Sequence, residues 1–411
     1  MKTAIGLAAI LGFVAAMASA QVNNFKYEGL LEVNKYYSNN TRDYNSKAGD
    51  KVNDQDFRAN IGLIFEAGQN VNVQVNLINS SATPHTVDFG QAYLGVNNLL
   101  GGNHKFGRMF YGNPGDMIIY FGPDAWYVSG MDYTALEGWT GNWKKDKLEV
   151  NALIAKMIDG RGSRTDVDIY GVTANYALSE YFNPTAYEYQ GTEYNNAFAD
   201  STTTASVGIN RFNVYGLKAS GKYKGVEYSG EYAMNSGKYV RASSLKKYTY
   251  EGTAMRFNAA YGFDLMGKAK VSGEYLSTSG DKNAADSKDK NFYGLNGNYR
   301  PGIINGAFNN PIGNTTTWNL GAKWTPEKLA KLALEAKYYD YAATEKVTIG
   351  ANSYDSFGTE FDFTATWNYN EKLALTGYFA TAMPDSKYSK AVLAGKDDNA
   401  LQVGLLASLK F

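Results

Sequence analysis

Charged and amide side chains recur in this chain at every second position, opposite rows of apolar ones. Glu28 and Glu32 alternate with Tyr27, Gly29, Leu31 and Val33, and Arg58 and Asn60 with Phe57, Ala59, Ile61, Leu63 and Phe65. Gln74 stands among Val71, Val73, Val75 and Leu77 in the same way. A period of two places the sets on opposite faces of extended strands. The polar face can form ion pairs and hydrogen bonds, but it carries no nucleophile and base. Cysteine is absent, and the two histidines, His85 and His104, lie in or beside connections. No G-x-S-x-G, phosphate-binding loop or HExxH signature occurs. Residues 280–290 mix carboxylates with lysines, which would repel calcium, and their spacing is not that of an EF-hand. The expectation is therefore no enzyme, no catalytic residue, no metal and no cofactor. A formal net charge of zero also implies no nucleic-acid partner.

The elements that would hold such faces are membrane-spanning strands. In residues 401–411, Leu401, Val403, Leu405, Ala407, Leu409 and Phe411 alternate with Gln402, Gly404, Ser408 and Lys410. An unpaired strand edge in hydrocarbon costs several kcal/mol per backbone group, so this strand must pair with the first, which has the same two faces. That predicts an all-β chain: a closed transmembrane antiparallel β-barrel. Its strands are expected over residues 25–33, 57–65, 71–77, 88–98, 105–110, 131–143, 148–157, 168–178 and 181–189. They continue over 213–223, 226–234, 248–263, 268–278, 317–324, 329–341, 357–369, 373–382 and 401–411. Sixteen strands is the alternative count, and a soluble β-sandwich or propeller the alternative architecture. Short polar turns such as 144–146, 224–225 and 370–371 follow even-numbered strands, while long loops follow odd-numbered ones. Short turns face the periplasm and long loops the exterior in such barrels. Residues 291–299 look strand-like but would put two successive strands in one direction, so they belong to a long seventh loop over 279–316.

Residues 1–20 have the make-up of a secretory signal: Lys2, an apolar stretch from Ile5 to Met17, then Ala18-Ser19-Ala20. Cleavage near Ala20 would leave residues 21–411 as one barrel domain in the outer membrane of a Gram-negative-type bacterium, with lipid as a partner.

A lysine or arginine at the lipid midplane costs about 2–4 kcal/mol, so charges opposite apolar rows should face the lumen. The expected inward cations are Lys26, Arg58, Lys218, Lys222, Arg256, Lys270, Lys323, Lys331, Lys337 and Lys410. The expected inward carboxylates, equal in number, are Glu28, Glu32, Glu149, Glu188, Glu227, Glu231, Glu274, Glu335, Glu360 and Asp362. Tyr36, Asn60 and Gln74 join the pore lining. A wall balanced in charge discriminates weakly by solute charge and offers hydrogen bonds to neutral polar solutes, sugars among them.

After the fifth strand, residues 111–130 read Y-G-N-P-G-D-M-I-I-Y-F-G-P-D-A-W-Y-V-S-G, too apolar for an exposed loop. Folding this third loop inward would cover Met117, Ile118, Ile119, Tyr120, Phe121, Trp126 and Val128 and narrow the pore. Tyr111, Asp116, Tyr120, Phe121, Asp124 and Trp126 are the candidate constriction and substrate-binding residues. Packing on a neighbouring subunit or extending the strands would also cover the segment.

Phe110-Tyr111, Asp116, Met117-Ile118, Tyr120-Phe121, Trp126 and Val128-Ser129-Gly130 resemble the third-loop run of maltoporin-type sugar porins. Lys323-Trp324-Thr325-Pro326, with Glu335 and Tyr339-Asp340, resembles a later strand pair of that family. The resemblance implies eighteen strands, a homotrimer and passage of sugars along aromatic rings. It departs at Asn113, where the family has arginine, at Tyr127, where it has an acid, and at Lys410-Phe411, where it has an aromatic pair. Gln91-Ala92-Tyr93-Leu94 with Gly107-Arg108 is similar to alginate-export-type barrels, whose polyanion needs a basic lumen. The C-terminal row ending at Phe411 resembles the signal read by the barrel-assembly machinery. The expected function is an outer-membrane porin for small hydrophilic solutes, with saccharides favoured. An alginate-export-like channel, a non-selective porin and a structural surface barrel are the alternatives.

Overall fold

Alternation of apolar and polar residues leaves each segment one stable arrangement, an extended strand paired on both sides. A computed structural model of the chain describes residues 23–41, 43–47, 51–81, 86–123, 133–158, 167–194, 209–241, 246–283, 285–305 and 313–411. It contains 18 long antiparallel strands closed into a barrel. They are β1 (Asn23–Asn39), β2 (Val52–Gly68), β3 (Val71–Ser80), β4 (Asp88–Leu99), β5 (Gly102–Met109), β6 (Leu136–Lys145), β7 (Leu148–Ile158), β8 (Val167–Tyr176) and β9 (Asn183–Tyr194). The second half runs β10 (Ile209–Tyr223), β11 (Val226–Arg241), β12 (Thr253–Asp264), β13 (Gly267–Thr278), β14 (Thr315–Pro326), β15 (Leu332–Ile349), β16 (Asn352–Asn368), β17 (Leu373–Pro384) and β18 (Ala400–Lys410).

Closure joins β1 to β18 in the register Leu31↔Leu409 through Asn39↔Leu401. Beyond it, Gly29 N donates to Phe411 O at 2.7 Å and Phe411 N to Gly29 O at 3.0 Å. A Cβ on Gly29 would fall 2.2 Å from the Phe411 ring, so a larger residue there displaces the terminal aromatic. Short turns follow the even-numbered strands. Lys224 and Gly225, both at positive φ (46° and 84°), make the tight β10–β11 turn.

Each expected strand has its counterpart, with shifts at the ends. The expected twelfth strand is divided: Lys246–Tyr250 pairs with the end of β11, and β12 begins at Thr253. Residues 291–299 stay outside the barrel strands.

Outward rows are exposed, as Tyr27 (66%), Leu217 (65%), Leu320 (60%) and Leu405 (55%) illustrate. The buried apolar residues lie on the inner side. Leu136, Leu153, Ile169, Phe212, Val214 and Leu276 pack with Met117, Ile118, Ile119, Phe121, Phe292, Leu295 and Tyr299 from the third and seventh loops. Burying each such side chain is worth about 1.5–3 kcal/mol, enough to hold loop segments against the wall. A second cluster joins Tyr36, Tyr378, Ala380, Ala382 and Ala400 to Tyr44, Ile303 and Ile304. The β17–β18 connection carries a short helix, α1 (Ser386–Val392), whose first turn is capped by Asp385 Oδ1 accepting from Lys387 N (2.8 Å) and Tyr388 N (3.3 Å).

Candidate functional site

The third loop begins as a hairpin, Tyr111–Gly112 pairing with Tyr120–Phe121 in the register Tyr111↔Phe121. Its tip is a turn: Asp116 N donates to Asn113 O (3.0 Å), Asn113 N donates to Asp116 Oδ2 (2.9 Å), and Gly115 sits at φ 85°. From the end of β5 the tip reaches strands well around the barrel. Asp116 Oδ1 accepts from Lys218 Nζ of β10 at 3.1 Å, and Gly115 O accepts from Arg256 Nη1 of β12 at 3.0 Å. The seventh loop seals the other side: Leu295 N and Asn296 N donate to Ile118 O (2.9 and 3.1 Å), Asn298 N to Asp116 O (2.8 Å), and Tyr120 N to Asn296 O (2.8 Å). Met117, Ile118, Ile119, Tyr120 and Phe121 are all buried by these contacts.

Both cations that meet the tip are engaged by carboxylates as well. Lys218 Nζ also lies 3.4 Å from Glu231 Oε1, which accepts from Tyr187 OH at 2.7 Å, and 5.5 Å from the Tyr187 ring centre. Arg256 pairs with Glu274 at 2.7 Å and stacks 4.0 Å from the Tyr299 ring centre. Tyr299 OH and Asn319 Nδ2 donate to the same Glu274. Tyr111 OH meets Tyr189 OH at 3.1 Å with the rings edge-to-face. Burial pushes the Tyr111 phenol above its ordinary pKa, and the Asp116 charge adds to this.

Under the hairpin lies a cavity of about 390 Å³ lined by Tyr111, Asp116, Glu149, Asn151, Tyr187, Tyr189 and Lys218, among others. A second, of about 470 Å³, shares Tyr111, Gly112, Glu149 and Asn151 with it and extends to Lys105, Asn142 and Asn72. Their common wall is a polar ladder: Asn142 Nδ2 donates to Glu149 Oε1 and Asn151 Oδ1, both at 2.7 Å, and Asn151 Nδ2 to Thr173 Oγ1 at 3.2 Å. Aromatic rings, carboxylates and amides thus surround a space large enough for a small polar molecule.

The other sequence-predicted lining residues divide between open wall and covered wall. Gln74 Nε2 donates to Glu28 Oε1 (3.0 Å), Tyr93 OH to Gln74 Oε1 (2.6 Å), and Asn76 Nδ2 to Asn60 Oδ1 (3.0 Å). Lys270 pairs with Glu227 at 2.7 Å and Lys337 with Glu335 at 2.8 Å. Arg58 and Glu32 form a buried ion pair, with Ser408 Oγ donating to Glu32 at 3.0 Å. Arg58 also lies 5.8 Å from the Tyr133 ring centre, and burial pushes the Tyr133 phenol up to about 12. Tyr36 is buried in the second cluster. Glu360 and Asp362 are roofed by the seventh loop: Ile304 N and Asn305 N donate to Glu360 (2.6 and 2.8 Å) and Ile303 N to Asp362 (3.1 Å). Asp124 and Trp126 lie outside the described residues.

Glu188 departs from the expected inward set. Tyr187 and Tyr189 are buried in the interior cluster, so Glu188 between them faces outward and is exposed. The rule that charges face the lumen and apolar rows face lipid fails on β9, because the hairpin supplies apolar cover on the lumen side. The same cause hid Tyr187, Tyr189 and Tyr299 from the sequence reading. Their one signal is the apolar run at 117–121, which demands a matching inner wall.

The architecture is that of an 18-strand transmembrane β-barrel. Among solved structures, this fold matches Pseudomonas aeruginosa OpdL with a TM-score of 0.60 at 10% identity, covering 94% of this chain and 99% of that one. P. aeruginosa OpdK with vanillate matches at TM-score 0.57 and 12% identity (94% and 98% covered), and its outer membrane protein OprD at 0.54 and 11% (95% and 96%). No protein-family model and no curated protein matches the sequence.

Proposed function

We propose that this chain is a porin of a Gram-negative-type outer membrane, exported after cleavage near Ala20, that lets small hydrophilic solutes diffuse passively, with saccharides preferred. One observation carries the preference. The lumen cations Arg58, Lys218, Arg256, Lys270 and Lys337 are each bonded to a carboxylate, while tyrosine rings and amides line the space beneath the hairpin. Paired charges leave little net field to attract an ion, whereas ring faces and hydroxyl acceptors suit a neutral sugar. On this reading the hairpin forms the constriction, with Tyr111 and Asp116 lining the space and the buried Tyr120 and Phe121 packed behind them, and Asp124 and Trp126 are assigned to the same constriction. The maltoporin-type likeness of residues 110–130 supports the preference through its motifs alone. Trimeric assembly and delivery by the barrel-assembly machinery through the strand ending at Phe411 belong to the same reading.

A second reading follows from the vanillate in the OpdK structure. An aromatic carboxylate could lie against Tyr187 with its charge on Lys218, displacing Asp116.

Single-channel recording in planar bilayers decides. Neutral oligosaccharides should reduce the current in a concentration-dependent way, while vanillate at equal concentration should have little effect. Block by vanillate alone would favour the second reading. Block by neither would make the pore non-selective, and no channel at all would leave a structural barrel.

A further inference from the structure

The outer wall carries cations that the pore does not use. Phe212, Val214, Ala233, Tyr239 and Tyr248 are buried in the interior cluster. Strand alternation therefore turns Arg211, Lys238 and Lys247 outward, and all three are exposed. Arg211 stands directly opposite Lys238. Lys238 in turn faces Thr249 while Lys247 faces Val240, so Lys247 is its diagonal neighbour. With strands about 4.8 Å apart and diagonal pairs at about 7–8 Å, the three charges share one small patch. Among the described residues none of the three is joined to a carboxylate. Like charges directly opposite one another destabilise a sheet, so an anion seated on the patch would relieve their repulsion.

Its height on the barrel names the anion. Below Arg211 on the outer face of β10 come Tyr215, with the outward Glu188 of β9 opposite it, then Leu217 and Tyr223, a run of about 26 Å along the strand at about 3.3 Å per residue. Tilted, that run fills most of the ~25 Å apolar band of such barrels. At its upper edge Gln190 Nε2 donates to Asn213 Oδ1 (2.9 Å) and Asn213 Nδ2 to Ser236 Oγ (3.3 Å), and the cations sit one step beyond. That is the level of lipid head groups. The outer wall of β5–β8 differs. There Arg108 pairs with Glu137 (2.9 Å) and Lys156 with Asp168 (3.6 Å), with Glu137 opposite Lys156, so that sector neutralises itself.

We infer that Arg211, Lys238 and Lys247 form a binding site for the phosphate groups of a phosphorylated glycolipid in the outer leaflet. Guanidinium and ammonium groups side by side suit phosphate oxygens, the first as a fork and the second as a point charge. The inference rests on the outer-membrane reading above.

The test uses the full chain in phosphatidylcholine bilayers, with bisphosphorylated lipid A as the probe, its retention read by native mass spectrometry. Wild type should hold lipid A more tightly than its dephosphorylated form. R211Q/K238Q/K247Q should weaken binding about a hundredfold, on the footing of roughly fivefold per cation. R211K/K238R/K247R should restore it. Should the triple variant fail to insert, R211Q and K238Q singly should each lose about fivefold. Equal lipid A affinity in wild type and the glutamine variants overturns the inference. So does displacement of lipid A by millimolar inorganic phosphate, which would make a free anion the ligand. Conductance recorded on the same samples tests the pore separately, since these side chains lie outside the lumen.

Discussion

Lys218 holds two carboxylates at once, Asp116 from the loop tip and Glu231 from β11, and Glu231 is buried. Lys218→Met removes that shared cation. The barrel should lose about 1–3 kcal/mol of stability, as for a hydrogen bond to a charged group. With two carboxylates uncompensated beside the ion path, the current should become more cation-selective. Reversal potential in a salt gradient measures this, and an unchanged value would place the pair away from the path. Face parity makes a second residue-scale prediction. Val73 belongs to the outward row of β3, whereas Gln74 faces inward, bonded to Glu28 and Asn76. Val73→Lys should cost about 2–4 kcal/mol near the midplane and depress folding, while Gln74→Lys should fold and shift selectivity toward anions. Equal folding yields in lipid vesicles would mean the register is wrong.

Among the elements, the hairpin and the terminal strand each have a separable role. Removing residues 113–118 deletes the tip that meets Lys218 and Arg256. Single-channel conductance should rise, because a constriction dominates the resistance of a water-filled pore, and sugar block should weaken with it. Unchanged conductance would put the hairpin outside the narrowest section. The deletion also removes Met117 and Ile118 from the interior apolar cluster, so the thermal transition should fall. At the closure, Gly29→Leu drives a side chain into the Phe411 ring and should lower folded yield much as deletion of Phe411 does. Wild-type levels of folded barrel for both variants would show that the β1–β18 seam tolerates loss of its last aromatic.

For the whole molecule the distribution of charge matters more than its sum, which is zero. A neutral chain could still keep its cations and carboxylates on opposite sides of the lumen. Instead Arg58 meets Glu32 and Arg256 meets Glu274 on neighbouring strands, and Lys270 meets Glu227 across β12. A pore lined by such pairs should pass potassium and chloride with nearly equal permeability. A strongly displaced reversal potential in a potassium chloride gradient would contradict it. On the outer wall three cations, Arg211, Lys238 and Lys247, stand together instead.

The strand pattern, the long and short connections and the pairing of the last strand with the first were all legible in the sequence. Each follows from local alternation and from the cost of an open edge in lipid. Parity on its own also put Arg58, Gln74, Lys218 and Arg256 on the inner face. The amino-acid order does not say which inner residues meet water and which are roofed by a loop, because that depends on contacts between segments far apart in the chain. Ile304 over Glu360 is one such contact, and Asn296 against Tyr120 another. Glu188 shows the limit most directly: its direction was decided by the hairpin that buries Tyr187 and Tyr189, since an apolar row faces whichever side provides apolar cover.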